Sequence, residues 1–355
     1  MRAQRRNFRS RLAAAITVLL GAPALAAGTG CSLLSGGPEP GLLPSNASPR
    51  PAASTSASLP PEVVASIHLQ HFARPLSLAA VDGDVWVASQ NAPDLFRIDP
   101  TTNRVVQTVD IRQASCGQLL EAFGDLLTMP CIDSTQSIVV DGRSGSIRGT
   151  IPDSGGMNAA AGADSLWIPN HRGTALKRIN PRTLKIEKRI RVETGMVAFD
   201  GRFIWSGAAD LSSQSNGHLA KIDPITNRVV ARYRLSRMDG PYMTYGFGAL
   251  WFKPFTNPTM YRFELASGTP TEKPVFGWEQ LTAPDQPVAV GAGSLWIRRD
   301  NATIARINPS TQRISGLYPA ESQSAGGIPL IAFGSLWIVN YYTDSVWREQ
   351  IRPNE

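Results

Sequence analysis

The stretch KIDPITNRVV, from Lys221 to Val230, decides the fold because the chain repeats it. Related stretches are RIDPTTNRVV from Arg97 to Val106, RINPRTLKI from Arg178 to Ile186 and RINPSTQRI from Arg306 to Ile314. Each places Asp or Asn, Pro, a variable residue and Thr between two apolar runs. The Asp or Asn side chain accepts hydrogen bonds from backbone N–H groups further on, and Pro fixes φ for a turn. Four similar hairpins therefore predict a repeat protein.

A second repeated phrase precedes each hairpin and consists of an apolar run, a short turn and an apolar strand with Trp. Its Trp residues are Trp86, Trp167, Trp205, Trp251, Trp296 and Trp337. In a weaker copy, EAFGDLLTMP, Leu127 takes the place of Trp. These seven positions are separated by 41, 40, 38, 46, 45 and 41 residues. Such a period, with four strand-like segments in each unit, predicts an all-β, seven-bladed β-propeller.

The sequence also predicts how the ring closes. The last unit supplies three strands, and an additional strand, EVVASIHL from Glu62 to Leu69, precedes the first unit. If this strand, at about 62–69, joins the last blade as its outer strand, no sheet edge stays open. We therefore expect the propeller to occupy residues 61–355.

Residues 1–30 are typical of an export signal, with five Arg before an apolar stretch from Leu12 to Ala27. Arg5-Arg6-Asn7-Phe8 resembles a twin-arginine motif. Two processing routes remain open. Ala24-Leu25-Ala26 fits simple cleavage and a secreted protein, whereas Thr29-Gly30-Cys31 resembles a lipobox with lipidation at Cys31.

Residues 31–60 are rich in Pro, Ser, Ala and Gly, and this composition is typical of a flexible tether. A tether that begins at Cys31 favours a lipoprotein attached to the outer face of the cell membrane, with a secreted protein as the alternative.

The basic net charge of +7 includes five Arg and no acid within residues 1–30, so the rest of the chain carries +2. No basic run of sequence is left in the propeller, so we expect no nucleic-acid partner. We also expect a monomer.

Two cysteines, Cys116 and Cys131, flank the first hairpin of the second blade. If the turn of that hairpin centres on Phe123-Gly124, the two cysteines face each other across the strands. Directly opposed positions suit a disulfide, and an oxidising compartment permits it. Two reduced, buried thiols are the alternative.

The phrases SLW(V/I), RI(D/N)PxT and NRVV resemble those of bacterial YVTN-type and streptogramin-lyase-like (virginiamycin B lyase-like) propellers, over about residues 63 to 350. The resemblance implies a seven-bladed fold. Lyases of this family have a metal-dependent site built on Glu-x-His and further His and Glu of the later blades. Here His68, His71, His171 and His218 all lie outside a Glu-x-His and outside the last three blades. We therefore expect no catalytic residue, no metal and no cofactor, with a diverged metal-dependent lyase as the alternative.

The loops that join the second strand to the third, and each blade to the next, are expected to carry function because they vary while the scaffold repeats. One of them is expected to run from Asp210 to His218. The candidate binding residues are Asn170, His171, Arg172, Tyr242, Lys253, Trp278, Arg298, Arg299, Asp300, Tyr341 and Tyr342. Their aromatic and Arg content suits an unknown protein or a polar small ligand. The sequence thus favours an extracytoplasmic lipoprotein that acts as a scaffold or sensor.

Overall fold

The structure is a computed structural model. It describes residues 60–90, 92–112, 119–131, 135–156, 158–210, 216–236, 242–253, 260–266, 272–274, 287–300, 302–321 and 327–352. The chain divides into two compact units, Met1–Pro60 and Pro61–Glu355. Apart from Pro60, the first unit lies outside the described residues, so the export signal, Cys31 and the tether stay predictions. The described part of the chain contains no helix with the length and hydropathy of a membrane span.

In the described residues, 28 strands form seven antiparallel sheets of four strands each, and this confirms the predicted seven-bladed β-propeller. Blade 1 comprises β2 (Pro75–Val81), β3 (Asp84–Ser89), β4 (Asp94–Asp99) and β5 (Arg104–Asp110). Blade 2 comprises β6 (Glu121–Phe123), β7 (Leu126–Pro130), β8 (Gln136–Asp141) and β9 (Ile147–Pro152). Blade 3 comprises β10 (Ala160–Gly162), β11 (Ser165–Pro169), β12 (Ala175–Ile179) and β13 (Ile186–Arg191).

The later blades repeat this order from the inner strand to the outer strand. Blade 4 comprises β14 (Met196–Phe199), β15 (Ile204–Asp210), β16 (Asn216–Asp223) and β17 (Arg228–Ser236). Blade 5 comprises β18 (Tyr242–Gly246), β19 (Ala249–Lys253), β20 (Tyr261–Glu264) and β21 (Glu272–Pro274). Blade 6 comprises β22 (Ala289–Gly291), β23 (Ser294–Asp300), β24 (Thr303–Asn308) and β25 (Arg313–Pro319). Blade 7 comprises β26 (Leu330–Ala332), β27 (Ser335–Asn340), β28 (Ser345–Gln350) and β1 (Val63–His68).

Strand β1 closes the ring as predicted. It pairs with β28 in antiparallel register, with Ser66 opposite Trp347 and His68 opposite Ser345. The outer edge of the last sheet is therefore formed by the first strand of the fold.

The antiparallel order of each sheet gives the propeller two different rims. The turn rim carries the turns between the first and second strands and between the third and fourth strands. The loop rim carries the connections between the second and third strands and between successive blades. Variable loops thus share the loop rim, while the repeated hairpin turns share the turn rim.

The repeated D/N-P-x-T phrase forms the turn that the sequence predicts. Asp99 Oδ1 accepts the backbone N–H of Thr101 at 2.7 Å, and Asn180 Oδ1 accepts that of Arg182 at 3.0 Å. The Thr101 hydroxyl also donates to Asp99 Oδ1, at 2.6 Å, and this bond together with the Thr101 N–H favours the charged carboxylate and lowers the pKa of Asp99 to about 2. The turn ends on a residue with positive φ, such as Asn103 at 54°. In the third strand, just before the turn, the pairing register shifts between Arg97 and Ile98.

In six blades, the Trp of the second strand pairs across the sheet with a cation of the third strand. Trp86 lies opposite Arg97, with the guanidinium carbon 5.7 Å from the ring centroid. The other pairs, at 5.2–5.5 Å, are Trp167–Arg178, Trp205–Lys221, Trp251–Arg262, Trp296–Arg306 and Trp337–Arg348. All six Trp side chains are buried. A cation over an indole face contributes about 0.5–2 kcal/mol.

Four of these arginines, Arg97, Arg178, Arg306 and Arg348, also join their blade to the next one. Arg178 Nη1 donates to Pro224 O at 2.7 Å in the hairpin turn of the following blade. Arg97 reaches Arg143 O at 2.7 Å, and Arg306 reaches Arg352 O at 2.7 Å. The Ser of the SLW phrase orients the cation, since Arg178 Nε donates to Ser165 Oγ at 2.8 Å. The repeated SLW and RI(D/N)P phrases are thus two halves of one contact between blades.

Blade 2 differs from the other blades in its register, and one prediction about it is wrong. The register places Thr128, not Leu127, at the Trp position, because the turn lies at Gly124-Asp125 and Phe123 pairs with Leu126. Thr128 lies opposite Val139, so this blade lacks the cation as well as the Trp. Its junction with blade 3 is held instead by Lys177, whose Nζ donates to Pro152 O at 2.8 Å.

The same register removes the direct opposition on which the Cys116–Cys131 pairing was predicted. With the turn at Gly124-Asp125 rather than Phe123-Gly124, the two cysteines no longer face each other in an undistorted ladder. Cys131 is disulfide-bonded. Cys116 lies outside the described residues, so the pairing itself stays a prediction.

Replacing Arg348 with Met tests the contact between blades at the point where the ring closes. Arg348 Nη1 donates to Pro100 O and to Asn103 Oδ1 in blade 1, and its guanidinium lies 5.2 Å from the Trp337 ring. We expect Arg348→Met to lower the free energy of unfolding by about 2 kcal/mol, measured by urea denaturation. Arg313→Met, at an exposed site on β25, is the control. Equal losses in the two variants would contradict the role given to Arg348.

Candidate functional site

Two loops meet on the loop rim where the closing strand passes into blade 1. The first links β1 to β2, and the second links β27 to β28. Asp344 of the second loop holds the first, because its carboxylate oxygens accept the backbone N–H groups of Phe72 and Arg74, each at 2.8 Å. The carbonyl of Asp344 also accepts the N–H of Leu69 at 2.8 Å. Three hydrogen bonds to Asp344 therefore hold the two loops together.

The two loops surround one arginine with aromatic rings. Arg74 Cζ lies 5.8 Å from the Phe72 ring centroid, 5.4 Å from that of Tyr341 and 5.2 Å from that of Tyr342. We call Phe72, Arg74, Tyr341, Tyr342 and Asp344 the Arg74 cluster. Tyr341 is buried, whereas Phe72 is 59% exposed and Tyr342 is 37% exposed. The cluster therefore presents the rings of Phe72 and Tyr342 to solvent beside the Arg74 guanidinium.

Three residues of this cluster have positive φ, as do turn residues elsewhere in the propeller. Phe72, Arg74 and Asp344 have φ values of 63°, 53° and 51°. Residues with a Cβ adopt such values at a cost of about 1–3 kcal/mol each, and observed strain of this kind is concentrated at binding and catalytic sites. A large aromatic residue such as Phe72 is unusual in this conformation. The hydrogen bond from the Phe72 N–H to Asp344 holds this backbone conformation, with the ring exposed next to Arg74.

The other N–H donors of the Arg74 guanidinium are available to a ligand. Its Nη1 donates to Tyr341 O at 3.3 Å, and within the described residues no carboxylate forms an ion pair with it. Asp344, the nearby acid, uses its oxygens for backbone N–H groups and approaches His71 Nδ1 at 3.6 Å. The cluster can therefore donate hydrogen bonds to a carbonyl or carboxylate while the rings cover apolar surface.

Of the predicted binding residues, only Tyr341 and Tyr342 lie in the Arg74 cluster. Asn170 shapes its own loop, since its Oδ1 accepts the N–H groups of Thr174 and Ala175 at 2.8 and 2.9 Å. His171 lies in the same loop, half-buried, and Arg172 is exposed there. Blade 3 therefore contributes a separate part of the loop rim.

Two predicted cations are buried between blades instead of standing on the rim. Lys253 is 1% exposed and Arg298 is 0% exposed. Arg298 Nη2 donates to Val339 O in blade 7 at 3.0 Å, and burial lowers the pKa of Arg298 to about 10. Lys253 ends β19 and Arg298 lies within β23, each two residues beyond the Trp of its strand, so they share the buried face with Trp251 and Trp296.

The other predicted binding residues lie in strands or outside the described residues. Arg299 Nε lies 4.0 Å from Asp300 Oδ2, and both residues belong to β23 rather than to a loop. His218 was expected at the end of a loop that begins at Asp210, but it lies within β16. Trp278 and the side chain of Tyr242 lie outside the described residues.

Among the described residues, no group of three or more His, Cys, Asp or Glu side chains could hold a metal ion. The acids of the turn rim have structural partners. Asp84 Oδ2 accepts Arg97 Nε at 2.6 Å, and Asp200 Oδ2 accepts Trp205 Nε1 at 2.7 Å.

A buried acid, Glu349, lies between blades 6 and 7. It follows the cation of the third strand, a position that is apolar in the other blades, namely Ile98, Val140, Ile179, Ile222, Phe263 and Ile307. Glu349 is 0% exposed, and neither carboxylate oxygen has a hydrogen-bond partner in the described part of the chain. Burial, and then the charge of Glu62, raises the pKa of Glu349 to about 8.

Glu349→Gln should make the protein more stable above neutral pH. Because the folded state raises the pKa of Glu349, folding binds a proton, and the stability is complete below about pH 4.5 and is lost as pH rises towards about 8. The loss is roughly 1.4 kcal/mol for each pH unit in this window. We expect the Tm of Glu349→Gln to exceed that of the wild type at pH 8 and to match it near pH 4.5. Asp164→Asn, at an exposed turn, should show no such difference; a pH-independent shift for Glu349→Gln would contradict the assignment.

Comparison with known proteins supports the fold. No known protein-family profile matches the chain, and no curated protein sequence is similar to it. Among solved structures, a catalytically inactive virginiamycin B lyase from Staphylococcus aureus with quinupristin superimposes with a TM-score of 0.62 at 16% identity, over 81% of this chain and 99% of the other. BamB from Moraxella catarrhalis gives a TM-score of 0.58 at 12% identity, over 81% of this chain and 99% of the other. A streptogramin B lyase gives 0.62 at 14% identity, over 80% and 96%. The chain is thus a seven-bladed propeller with the fold of these proteins.

Sequence reasoning missed the loop from Leu69 to Arg74. Its signal is present in the chain, because HFARP, from His71 to Pro75, places Phe and Arg beside the first inner strand. Once β1 is assigned to the last blade, this loop must lie on the loop rim beside the loop that carries Tyr341 and Tyr342.

Proposed function

We propose that this protein is an extracytoplasmic lipoprotein whose propeller acts as a binding module for another protein. The Arg74 cluster is the observation that supports this function. It combines exposed aromatic rings, an arginine without a carboxylate partner in the described residues, and a strained, well-held backbone. Tyr, Trp and Arg provide most of the binding energy in protein interfaces.

The cluster fits a peptide or protein segment better than a small ligand. Phe72 and Tyr342 flank Arg74 on an exposed rim, so a partner can cover both rings and place a carbonyl or carboxylate on the guanidinium. Burying two such rings contributes several kcal/mol. The rigid support from Asp344 limits the entropy that the loops lose on binding.

A metal-dependent lyase of the streptogramin type is the second candidate, and it rests on the shared fold with virginiamycin B lyase and streptogramin B lyase. Loss of intact quinupristin in the presence of Mg²⁺, measured by liquid chromatography with the purified chain, would favour this enzyme over the binding module. An unchanged quinupristin signal would favour the binding module.

Site-specific photo-crosslinking in cells that produce the protein tests the binding function. We expect p-benzoylphenylalanine at position 342 to form a discrete crosslinked species with one partner protein, because Tyr342 lies in the exposed part of the Arg74 cluster. The same group at position 225 is the matched control, since Ile225 is 89% exposed but lies on the turn rim.

A second substitution makes the test specific. Arg74→Gln combined with the crosslinker at 342 should reduce the crosslinked species about tenfold, because the held cation is lost while the rings remain. Identical products at 342 and 225, or no effect of Arg74→Gln, would argue against binding at this cluster.

Lipid attachment at Cys31 is tested by cell fractionation. We expect Cys31→Ser to move the protein from the membrane fraction to the soluble extracytoplasmic fraction, because the mature chain would lose its acyl anchor. Cys116→Ser is the control for loss of a thiol elsewhere in the chain. Membrane association that persists in Cys31→Ser would contradict the lipoprotein assignment and leave the secreted alternative.

A further inference from the structure

The charge of the propeller is unevenly distributed around the ring. Residues 172–234, which belong to blades 3 and 4, contain 13 Lys and Arg but 5 Asp and Glu, a net charge of +8. Residues 31–355 together carry +2, so the rest of that part carries −6. Basic residues therefore accumulate in blades 3 and 4 although the propeller contains no basic run of sequence.

A cleft between blades 3 and 4 lies within this basic region. Its volume is about 820 Å³, within the range of small-molecule sites. Arg189 and Arg191 of β13 line one side, and Arg232 of β17 lines the other. All three are exposed, and no carboxylate of the described residues forms an ion pair with them. Their charges are available to a ligand.

The cleft also has an apolar part. Val192 and Ala220 line it, and both are buried in the packing of blade 3 against blade 4. One weak polar pair is present, with His218 Nε2 at 3.9 Å from Glu193 Oε2. Arginines around an apolar wall favour a ligand that carries an anionic group on an apolar body, since each part finds its complement.

We propose that the cleft between blades 3 and 4 binds a small organic anion, with a phosphate or carboxylate held by Arg191 and Arg232 and an apolar body against Val192 and Ala220. This site is separate from the Arg74 cluster, which lies at the junction of blades 7 and 1. The anionic group displaces water from the arginines, and the apolar body covers the wall between the blades.

Naphthyl compounds provide probes that separate the two parts of the site. Isothermal titration of the full chain should show binding of 1-naphthyl phosphate, weaker binding of inorganic phosphate, and no binding of 1-naphthol at the same concentration. A comparison with 1-naphthoate tells whether phosphate or carboxylate is preferred. Equal affinity for 1-naphthol and 1-naphthyl phosphate would overturn the proposal, because the arginines would then contribute nothing.

Substitutions locate the binding. Arg191→Gln with Arg232→Gln should weaken 1-naphthyl phosphate binding about tenfold or more, since two charged donors are removed. The matched control is Arg228→Gln, an exposed arginine of the same strand β17 that does not line the cleft, and it should change the affinity less than about twofold. A double variant that folds, as shown by an unchanged Tm, and still binds 1-naphthyl phosphate like the wild type would refute the site.

Discussion

In four of the seven blades, the arginine of the third strand lies across the Trp of the second strand and reaches into the next blade, and the ring depends on this contact. A guanidinium can stack on an indole and donate hydrogen bonds in its own plane at the same time. Apolar packing between neighbouring sheets sets the distance between them but not how one sheet is rotated against the other. The bond from Arg178 to Pro224 O, repeated by Arg97, Arg306 and Arg348, also fixes how one blade is rotated against the next.

Most of the fold could be predicted because the repeated residues are those that make the turns and the contacts between blades. The register of blade 2 could not. Where blades 1, 5, 6 and 7 place Gly second in the first turn, as in Asp82-Gly83, blade 2 has Gly124-Asp125 with Gly first. Centring the turn one residue too early moved Leu127 into the Trp position that Thr128 occupies. A single turn residue thus decided which face of the strand was predicted to be buried.

The candidate site was predicted less well, and the reason is the alternation of strand residues. Lys253 and Arg298 attracted interest as charged residues near loops, but each lies two positions beyond a buried Trp and therefore shares its face. Conversely, Phe72 and Arg74 belong to a connection that a linear scan assigns to no blade. Only the closure of the ring brings that connection beside Tyr341 and Tyr342.

The closing strand has a consequence for the order in which the protein is made. Val63–His68 leaves the ribosome first among the strands, yet its partner, Ser345–Gln350, leaves it last. Six sheets can assemble as the chain grows, but the seventh has no outer strand of its own. The ring therefore closes only after nearly all of its strands have been made, and until then the first strand has no partner and can pair with the strands of other chains.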